Sequence, residues 1–344
     1  KVRYLTQETY ETWFRAHPIP GDILFVNKGT PGRVCMVPDP VDFCIAQDMI
    51  ALRADDEKIY NKYLFAVLRS REIQQQIYNT NVGDVIPHFK KQFMDQLLIP
   101  VPDRMIQEII GNLYYELSYK TELNKKINEN LEQQAQAIFS NEFLTLETLP
   151  DGWKQASLID IADYLNGLAM QKYRPTVDEI GIPVLKIKEL RQGYCDDNSE
   201  LCSSNIKSQY IIHNGDVIFS WSGSLLVDFW CGGICGLNQH LFKVTSSNYD
   251  KWFYYAWTKY HLNRFVAIAT DKATTMGHIK RDELAKAEVL IPNKADYNRI
   301  GALLQPIYDS IISNRIENKK LAEARDALLP KLMSGEIDVS DIEI

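Results

Sequence analysis

The most constraining feature of this chain is an internal repeat, in which the segment that begins at Gly21 recurs from Gly215 onwards. Short blocks recur in the same order, and the clearest pairs are GDILF at 21–25 with GDVIF at 215–219, HFKK at 88–91 with HIKR at 278–281, and LIP at 98–100 with LIP at 290–292. Beyond these blocks the match has no gaps, from Ile110 against Ile300 to Leu131 against Leu321. A duplicated globular unit with a duplicated helix predicts pseudo-two-fold symmetry. Such symmetry suits a partner that is itself nearly two-fold symmetric, such as duplex DNA.

Two long helices are predicted at 104–139 and 296–333, because their apolar residues alternate at spacings of three and four, as in a coiled-coil seam. Asn124 interrupts the first seam, and Asn314 and Asn318 interrupt the second, as buried polar residues that fix helix register do. Helices related by a two-fold axis normal to them run antiparallel. The residues expected at the helix-pair interface are Leu117, Leu131, Ile307 and Leu321. A helix of ~35 residues is about 50 Å long, so the pair would act as a ruler between the two globular units.

The fold class expected is α/β (α+β), with two pseudo-two-fold-related mixed α/β domains joined by the pair of long antiparallel coiled-coil helices. Short strands such as Asp22–Asn27, Asp216–Ser220 and Glu288–Ile291 lie between Gly, Pro and Asp turns. Helical spacing in Tyr60–Arg71 and Lys251–Phe265 predicts aromatic-rich helices on the sheets. The expected domain boundaries are 1–103, 104–147, 148–295 and 296–344.

The two repeats are unequal at their starts. Gly21 lies close to the beginning of the chain, whereas in the second repeat a long stretch that starts near Trp153 precedes Gly215. The first repeat has no room for most of the corresponding stretch. The N-terminal part of the first domain is therefore expected to be missing from this chain.

The charge is distributed unevenly along the chain, which has a net charge of −7. Basic and acidic residues number 12 and 13 in 1–103 and 16 and 16 in 151–295, but 4 and 7 in 104–150 and 6 and 9 in 296–344. Both domains are thus near neutral and can bind phosphates through a local basic face, since charges interact over a Debye length of about 8 Å. The acidic helices are better suited to protein partners.

The composition is that of a globular protein, with 344 residues, 45% of them hydrophobic. The length predicts two or three domains. No apolar run reaches the roughly 18 residues of a membrane span, so no membrane association is expected. Six cysteines in a chain of this size are typical of reduced thiols, which favours a cytoplasmic location.

Candidate DNA-binding residues cluster in polar loops beside glycines. Arg and Lys can bond guanine or phosphate, Asn and Gln can bond adenine, and glycine lets the backbone approach the duplex. The candidates in the first domain are Asn27, Lys28, Gly29, Arg33, His88, Lys90 and Lys91. Those in the second are Lys186, Lys188, Arg191, Gln192, Trp221, Ser222, Gly223, Ser224, Lys272, Thr274, Thr275, His278 and Lys280. For each residue alone a solvated turn is the simpler interpretation, but recurrence in both repeats favours a shared role.

Gln47 and Gln239 also occupy matching positions, each at the start of a strand. Either could read a base, but a structural hydrogen bond is the favoured interpretation of the pair.

Two patterns suggest metal sites only weakly. Cys231 and Cys235, with Cys195 and Cys202, fit no standard zinc spacing. Asp39, Asp56 and Lys58 fit a loose pattern of a Mg²⁺ nuclease, which the second repeat does not copy. A charged surface loop is the favoured interpretation of the latter, and no metal is expected.

Motifs for catalysis and cofactors are absent from the sequence. There is no Asn-Pro-Pro-Tyr or Asp-Pro-Pro-Tyr for a flipped adenine, no Gly-rich AdoMet loop and no Walker A motif. The sequence predicts no catalytic residue and no cofactor.

Four segments resemble the DNA-specificity subunit of type I restriction–modification enzymes. They are GDVIFSWSG at 215–223, NKKL at 318–321, ALLPKLMSGEI at 327–337 and LPDGWK at 149–154. The resemblance covers essentially the whole chain. It implies two target-recognition domains, each followed by a helix, that read the two halves of a split double-stranded DNA sequence. It also implies two methylation subunits on the helices and motor/nuclease subunits that join them.

The leading hypothesis is therefore a non-catalytic specificity subunit for host DNA protection and restriction of foreign DNA. The first alternative is a Mg²⁺-dependent endonuclease that uses Asp39, Asp56 and Lys58. The second is a repeat-built protein–protein scaffold, which would show no salt-dependent DNA binding.

Shortening both helices by one heptad should change the permitted gap between the half-sites by about three base pairs. Seven residues span ~10 Å of helix, and one base pair spans about 3.4 Å. Methylome sequencing of a host that carries the shortened chain with its methylation partner measures the gap. An unchanged gap would exclude the ruler.

Overall fold

The computed structural model describes residues 3–13, 17–45, 47–80, 86–271 and 279–339. The helices are α1 Gln7–Trp13, α2 Asn61–Leu68, α3 Arg71–Asn79, α4 Arg104–Phe139, α5 Leu158–Ile161, α6 Ile187–Gln192, α7 Lys251–Tyr260, α8 Leu262–Asp271, α9 Arg281–Ala285 and α10 Lys294–Met333. The strands are β1 Ile23–Val26, β2 Val34–Met36, β3 Met49–Leu52, β4 Lys154–Ser157, β5 Asp163–Asn166, β6 Ile182–Leu185, β7 Leu201–Cys202, β8 Ile211–Ile212, β9 Val217–Ser220, β10 Leu226–Phe229, β11 Cys235–Leu237, β12 Leu241–Thr245 and β13 Glu288–Ile291.

The mixed α/β class and the two long helices are confirmed. The observed helix α4 ends where the sequence predicted, and α10 begins two residues before the predicted start at 296. Each aromatic-rich stretch is two helices instead of one. In the first, the Ser70 side chain accepts a hydrogen bond from the Ile73 N–H and starts a new helix, because a serine oxygen satisfies a free N–H there.

The chain forms two compact units, and the division between them falls within both long helices. The first unit comprises Lys1–Glu122 and Leu321–Ile344, and the second comprises Leu123–Lys320. Each unit therefore contains one α/β domain and one segment of each long helix.

A three-stranded antiparallel sheet in the order β2-β1-β3 organises the first unit. Its central strand contributes Ile23 and Phe25, which are fully buried. They share a core with α2 and with Ile110 and Tyr114 of α4 and Leu329 of α10.

Three sheets organise the second unit, in the orders β10-β9-β12-β5, β7-β6-β11-β8 and β13-β4. Strands β6 and β11 pair in parallel, and the remaining ladders are antiparallel. The main core is built from aromatic side chains of α7 and β9, joined by Phe139 of α4 and Tyr308 of α10.

The repeated Gly-Asp turn has the same geometry in both units. Gly21 and Gly215 have φ of 85° and 84°, a conformation that favours glycine. In the next residue, an Asp22 carboxylate oxygen accepts from the Ile19 N–H at 2.9 Å, and an Asp216 oxygen accepts from the corresponding N–H at 2.8 Å. The sequence repeat is thus a structural repeat that fixes the entry into β1 and β9.

The long helices run antiparallel in the second unit. In the second unit, Asn124 Nδ2 donates to Asn318 Oδ1 at 2.9 Å, and Asn314 Nδ2 donates to Asn128 Oδ1 at 2.9 Å. From the first of these hydrogen bonds to the second, the residue number rises from 124 to 128 on α4 and falls from 318 to 314 on α10, as in an antiparallel pair. In the first unit the Arg325 guanidinium lies 5.6 Å from the Tyr114 ring centroid.

Of the four apolar residues predicted at the helix-pair interface, Leu117 of α4 meets α10 directly, in the first unit. Leu131 and Ile307 pack against the core of the second unit. Leu117 lines a small apolar cavity with Leu328 in the first unit, and Leu321 is half-buried there.

Arg315 of α10 connects both helices to a sheet of the second unit. Its guanidinium donates to Asp228 Oδ1 of β10 at 2.6 Å and to Glu132 Oε1 of α4 at 2.9 Å. The side chain of Lys259 on α7 lies 3.6 Å from the other Glu132 oxygen. Half-buried charge pairs of this kind fix orientation, because removing one partner leaves another charge poorly solvated.

A glycine lies where each long helix crosses the aromatic helix of its own unit. A Cβ added at Gly111 would lie 2.5 Å from the backbone N of Tyr63 and 2.9 Å from the backbone C of Lys62. A Cβ added at Gly301 would lie 2.9 Å from Nε1 of Trp252. At Gly111 the two helix backbones therefore approach more closely than a methyl group would allow, and at Gly301 the helix backbone lies against the Trp252 ring.

Gly111→Ala should destabilise the first unit, although alanine in an open helix position would stabilise it by about 1 kcal/mol. The added methyl meets fixed backbone atoms, and overpacking of this kind costs roughly 1–3 kcal/mol. Thermal unfolding of the full chain measures the change, with Glu116→Ala at an exposed position of the same helix as the control. A raised melting temperature for Gly111→Ala would contradict the close approach.

Candidate nucleic-acid interface

Three predicted cations of the second unit lie on helix α6 or at its N-cap, and two of the three are ion-paired. Lys186 Nζ lies 2.5 Å from Glu200 Oε1, and Lys188 Nζ lies 3.2 Å from Asp196 Oδ2. The hydrogen bond from Lys188 lowers the pKa of Asp196, and that from Lys186 lowers the pKa of Glu200. Both carboxylates are therefore charged near neutral pH, and a phosphate would have to compete with them.

Arg191 lies in the last turn of the same helix and is exposed. No carboxylate of the described ranges forms an ion pair with it. Its neighbour Gln192 donates from Nε2 to the Tyr194 carbonyl at 2.5 Å, across Gly193 with a φ of 84°. A phosphate or base can therefore bind Arg191 without first displacing a described carboxylate, unlike Lys186 and Lys188.

The turn that follows β9 lies beside α6. The Ser220 hydroxyl donates to the Ser224 carbonyl at 2.9 Å and closes the turn around Gly223, whose φ is 67°. A Cβ added at Gly223 would lie 3.7 Å from Cδ1 of Ile187 on α6. Ser222 is buried within the turn, whereas Gly223 and Ser224 are exposed.

Trp221 is held by the sheet. Its ring stacks on Phe242 with centroids 5.5 Å apart, and its Nε1 donates to Asn166 Oδ1 at 3.0 Å. Its carbonyl accepts from the Ile279 N–H at 3.0 Å, which places the exposed Lys280 next to the turn. The Trp221 ring therefore anchors the turn to the sheet, because it contacts Phe242 and Asn166.

The turn from Asn238 to His240 lies beside the N-terminal end of α6. The sequence did not predict that this turn would be part of the candidate interface. The Asn238 N–H donates to the Leu185 carbonyl at 3.2 Å, next to Lys186. The His240 Nδ1 is buried, with no hydrogen-bond partner among the residues that the structure describes. The only sequence signal for this turn is the match of Gln239 with Gln47.

The first unit brings its candidate loops together in the same way. The Phe89 N–H donates to the Asn27 carbonyl at 2.8 Å, matching the bond between Ile279 and Trp221. Lys28 pairs with His88 in a β-bridge, and the Gly29 N–H donates to a neighbouring carbonyl at 2.9 Å.

Three cations surround this turn and are exposed, namely Lys28, Arg33 and Lys90. Lys91, the next residue, begins a 3-10 helix and lines a groove beside β3. The predicted residues Lys272, Thr274, Thr275 and His278 lie outside the described residues.

The structure assembles no metal site from the two weak patterns. Among the described residues, no group of three or more His, Cys, Asp or Glu side chains is placed to hold an ion. Lys58 Nζ pairs with Asp55 Oδ2 at 2.6 Å, and neither Asp39 nor Asp56 takes part. The six cysteines are free thiols. Within the described ranges, no helix is both long and apolar enough to cross a membrane.

Comparison with known families gives one match that spans most of the chain. The model of the type I restriction modification DNA specificity domain matches residues 11–133 and 150–324. Its two matched segments correspond to the two repeats.

Similar proteins carry related names. The type I restriction enzyme MjaIX specificity subunit of Methanocaldococcus jannaschii is 24% identical over 94% of this chain and 79% of its own length. The HindI specificity subunit of Haemophilus influenzae is 20% identical over 92% of this chain and 86% of its own. A crystal structure of a type I restriction-modification S subunit from M. genitalium matches with a TM-score of 0.55 and 14% identity, over 91% of this chain and 83% of that one.

Replacing Lys186, Lys188 and Arg191 together by alanine should weaken binding to DNA that carries the second half-site. Each lost phosphate contact should lower the salt slope by about one, and a lost base contact should cost ~1–3 kcal/mol. Arg191→Ala should account for the largest single loss, because the two lysines already share carboxylates. Fluorescence anisotropy across a salt series measures both quantities.

The control is Lys154→Ala, at an exposed lysine of the separate β13-β4 sheet. Unchanged affinity and slope in the triple variant would place the DNA on another face.

Proposed function

We propose a function for this chain from one premise, that it belongs to the family of type I restriction–modification DNA specificity domains. The chain is the specificity subunit of a type I restriction–modification enzyme. It contributes recognition of a bipartite DNA target, and the chemistry belongs to other subunits.

The repeated loop geometry is the observation that carries the assignment of one half-site to each domain. In both units the turn after the central strand accepts a hydrogen bond from the segment that carries Lys90 or Lys280. Two equivalent surfaces on independent cores suit two half-sites, each read separately. In this proposal the recognition domains are 1–103 and 148–295, and the helical segments are 104–147 and 296–344.

The DNA-contacting residues in this proposal are those exposed or half-buried at the loops, with phosphate contacts from the cations and base contacts from the polar groups. They are Lys28, Gly29, Arg33, His88 and Lys90 in the first domain and Lys186, Lys188, Arg191, Gln192, Gly223, Ser224 and Lys280 in the second. Trp221, Ser222 and Asn27, which matches Trp221 in the repeat, would act by supporting their turns. Lys91 is left out of this set because it faces the groove beside β3.

The helices are the proposed docking surface for two methylation subunits and for motor/nuclease subunits. The acid excess of segments 104–150 and 296–344 disfavours phosphates and suits basic protein surfaces. A cytoplasmic location fits the six free thiols, because thiols persist in a reducing compartment.

Exchanging residues 151–292 for the same segment of a relative should change one half of the methylated target and leave the other intact. The reason is that the second domain has its own sheets and its own core. Alone, the chain should neither methylate nor cleave DNA in the presence of Mg²⁺. With two copies of a methylation subunit it should direct methyl transfer to both halves.

Methylome sequencing of hosts with the original and the exchanged chains is the measurement. The original chain without its methylation partner is the control and should leave the host DNA unmethylated at the target. Changes in both halves of the target would contradict independent reading. A chain that shows no salt-dependent DNA binding would instead be a protein–protein scaffold.

A further inference from the structure

A glutamine occupies the same turn in both units and stands outside the proposed DNA-contacting set. Gln47 lies two residues before β3, and Gln239 lies two residues before β12. The two positions are equivalent in the structure as well as in the repeat, because Ile50 of β3 and Phe242 of β12 each pair with the phenylalanine of the repeated block, GDILF or GDVIF. Each glutamine lies three residues before that strand residue.

In the first unit this turn adjoins the loop that follows β1. The Asn27 N–H donates to the Asp48 carbonyl at 2.9 Å, and the Asn27 carbonyl accepts from the Phe89 N–H at 2.8 Å. The turn with Gln47 and the segment with Lys90 therefore both contact the same loop residue. Gln47 is exposed, so the candidate DNA surface of the first unit extends to this turn.

In the second unit the equivalent turn adjoins the loop that follows β9. The centroid of the His240 ring lies 6.3 Å from that of the Trp221 ring. The Gln239 N–H donates to the Leu168 carbonyl at 2.8 Å, so the backbone of the turn is fixed while Gln239 stays half-buried. The candidate surface of this unit thus also extends to the turn.

Protein contacts leave the two side-chain amides largely unused. Gln239 Nε2 lies 3.4 Å from His240 Nε2, beyond the usual length of a hydrogen bond from a nitrogen donor. The Gln47 side chain makes no hydrogen bond within the described ranges. Gln74, by contrast, donates from Nε2 to two backbone carbonyls, at 2.8 and 2.6 Å. The structural hydrogen bond that the sequence favoured for this pair is therefore a single long contact at Gln239 and is not seen at Gln47 in the same ranges.

The histidine of the second turn can orient the Gln239 amide. His240 Nδ1 is buried and has no hydrogen-bond partner among the described residues, so only Nε2 of the ring can serve a neighbour. That nitrogen lies toward Gln239 Nε2. When the ring proton is on Nδ1, Nε2 accepts from one N–H of the amide. The amide then keeps its second N–H and its oxygen for a ligand.

An amide with one free N–H and one free oxygen matches a single base in the major groove. Adenine presents N7 as an acceptor and its N6 amino group as a donor, and a glutamine bonds both. Guanine presents two acceptors, N7 and O6, so the glutamine oxygen would face O6 without a hydrogen between them. Cytosine presents a donor and thymine an acceptor, and each satisfies only half of the amide. The free groups therefore favour adenine.

We propose that Gln47 and Gln239 each bind the major-groove edge of one adenine in the half-site of their own domain, and that His240 positions the Gln239 amide for this contact. The inference rests on the proposed function and deepens it, since it names the base read at one position of each half-site. Asp48 takes the place of His240 in the first unit, so the positioning role is confined to the second domain.

Methylome sequencing of a host that carries the chain with its methylation partner identifies the two half-sites and tests both glutamines. Gln239→Ala should remove the requirement for adenine at one position of the second half-site and leave the first half-site unchanged. Gln47→Ala should relax one position of the first half-site alone. The matched control is Gln155→Ala, at an exposed glutamine of the β13-β4 sheet, which should leave both half-sites unchanged.

Fluorescence anisotropy of the full chain, with duplexes that differ only at the relaxed position, measures the same contact directly. The original chain should prefer adenine to guanine there by roughly 5- to 150-fold, the range for one bidentate pair. Gln239→Ala should abolish this preference. Gln239→Glu should instead prefer cytosine, because a carboxylate accepts from the N4 amino group of cytosine.

His240→Phe tests the positioning role. Phenylalanine keeps a ring beside Trp221, removes Nε2 and also removes the buried nitrogen that has no described partner. The preference for adenine over guanine should fall several-fold, while the melting temperature should not fall, because no buried polar atom is left unpaired. A merely structural role would instead lower the melting temperature and leave the base preference intact, and that result would overturn the positioning role.

Circular dichroism checks that each variant remains folded. A split target that stays strict at every base in both alanine variants would overturn base reading by the glutamines and leave the proposed function standing. An equal loss of affinity for all four bases would assign the glutamines to phosphates and would also overturn base reading. Methylation of no split target by the original chain and its partner would instead overturn the proposed function, on which this inference rests.

Discussion

The buried amide contacts between α4 and α10 join segments of the chain that lie far apart in sequence. Asn124 and Asn318 are 194 residues apart and form a direct hydrogen bond. Asn124 is 1% exposed, so a shift of either helix would leave an amide buried without a partner, at a cost of about 1–3 kcal/mol. One helix register is therefore favoured over its neighbours. Because the domain of the second unit packs on both helices, its placement on them follows from that register.

The repeat made the elements around it predictable. The strands at Ile23 and Val217 and the long helices follow from local patterns that occur twice, and their ends agree with the structure within a few residues. The break at Ser70 was missed because apolar spacing continues across it, and only the serine oxygen marks the new helix. The pairing of β5 with β12 was also not predicted, since it joins distant parts of the second repeat that share no motif.

The candidate interface was predictable as a set of loops but not in its electrostatics. Polar and basic residues beside glycines pointed to α6 and to the turn after β9, and the structure places these two next to each other. The sequence did not reveal that Glu200 and Asp196 neutralise two of the lysines, because their pairing depends on how the chain folds back. Likewise Trp221, a candidate DNA-binding residue in the sequence, packs on Phe242 and donates a hydrogen bond to Asn166.

The glycine at the same place in both long helices has an evolutionary consequence. At Gly111 the neighbour is backbone, which cannot be altered by substituting the facing side chain, whereas at Gly301 it is the ring of Trp252. A larger residue at 301 can therefore be accommodated by a compensating change at 252, but no single partner substitution offers the same route at 111. The two halves of a duplicated protein thus differ in how far they can diverge, and the first contact should vary less among descendants than the second.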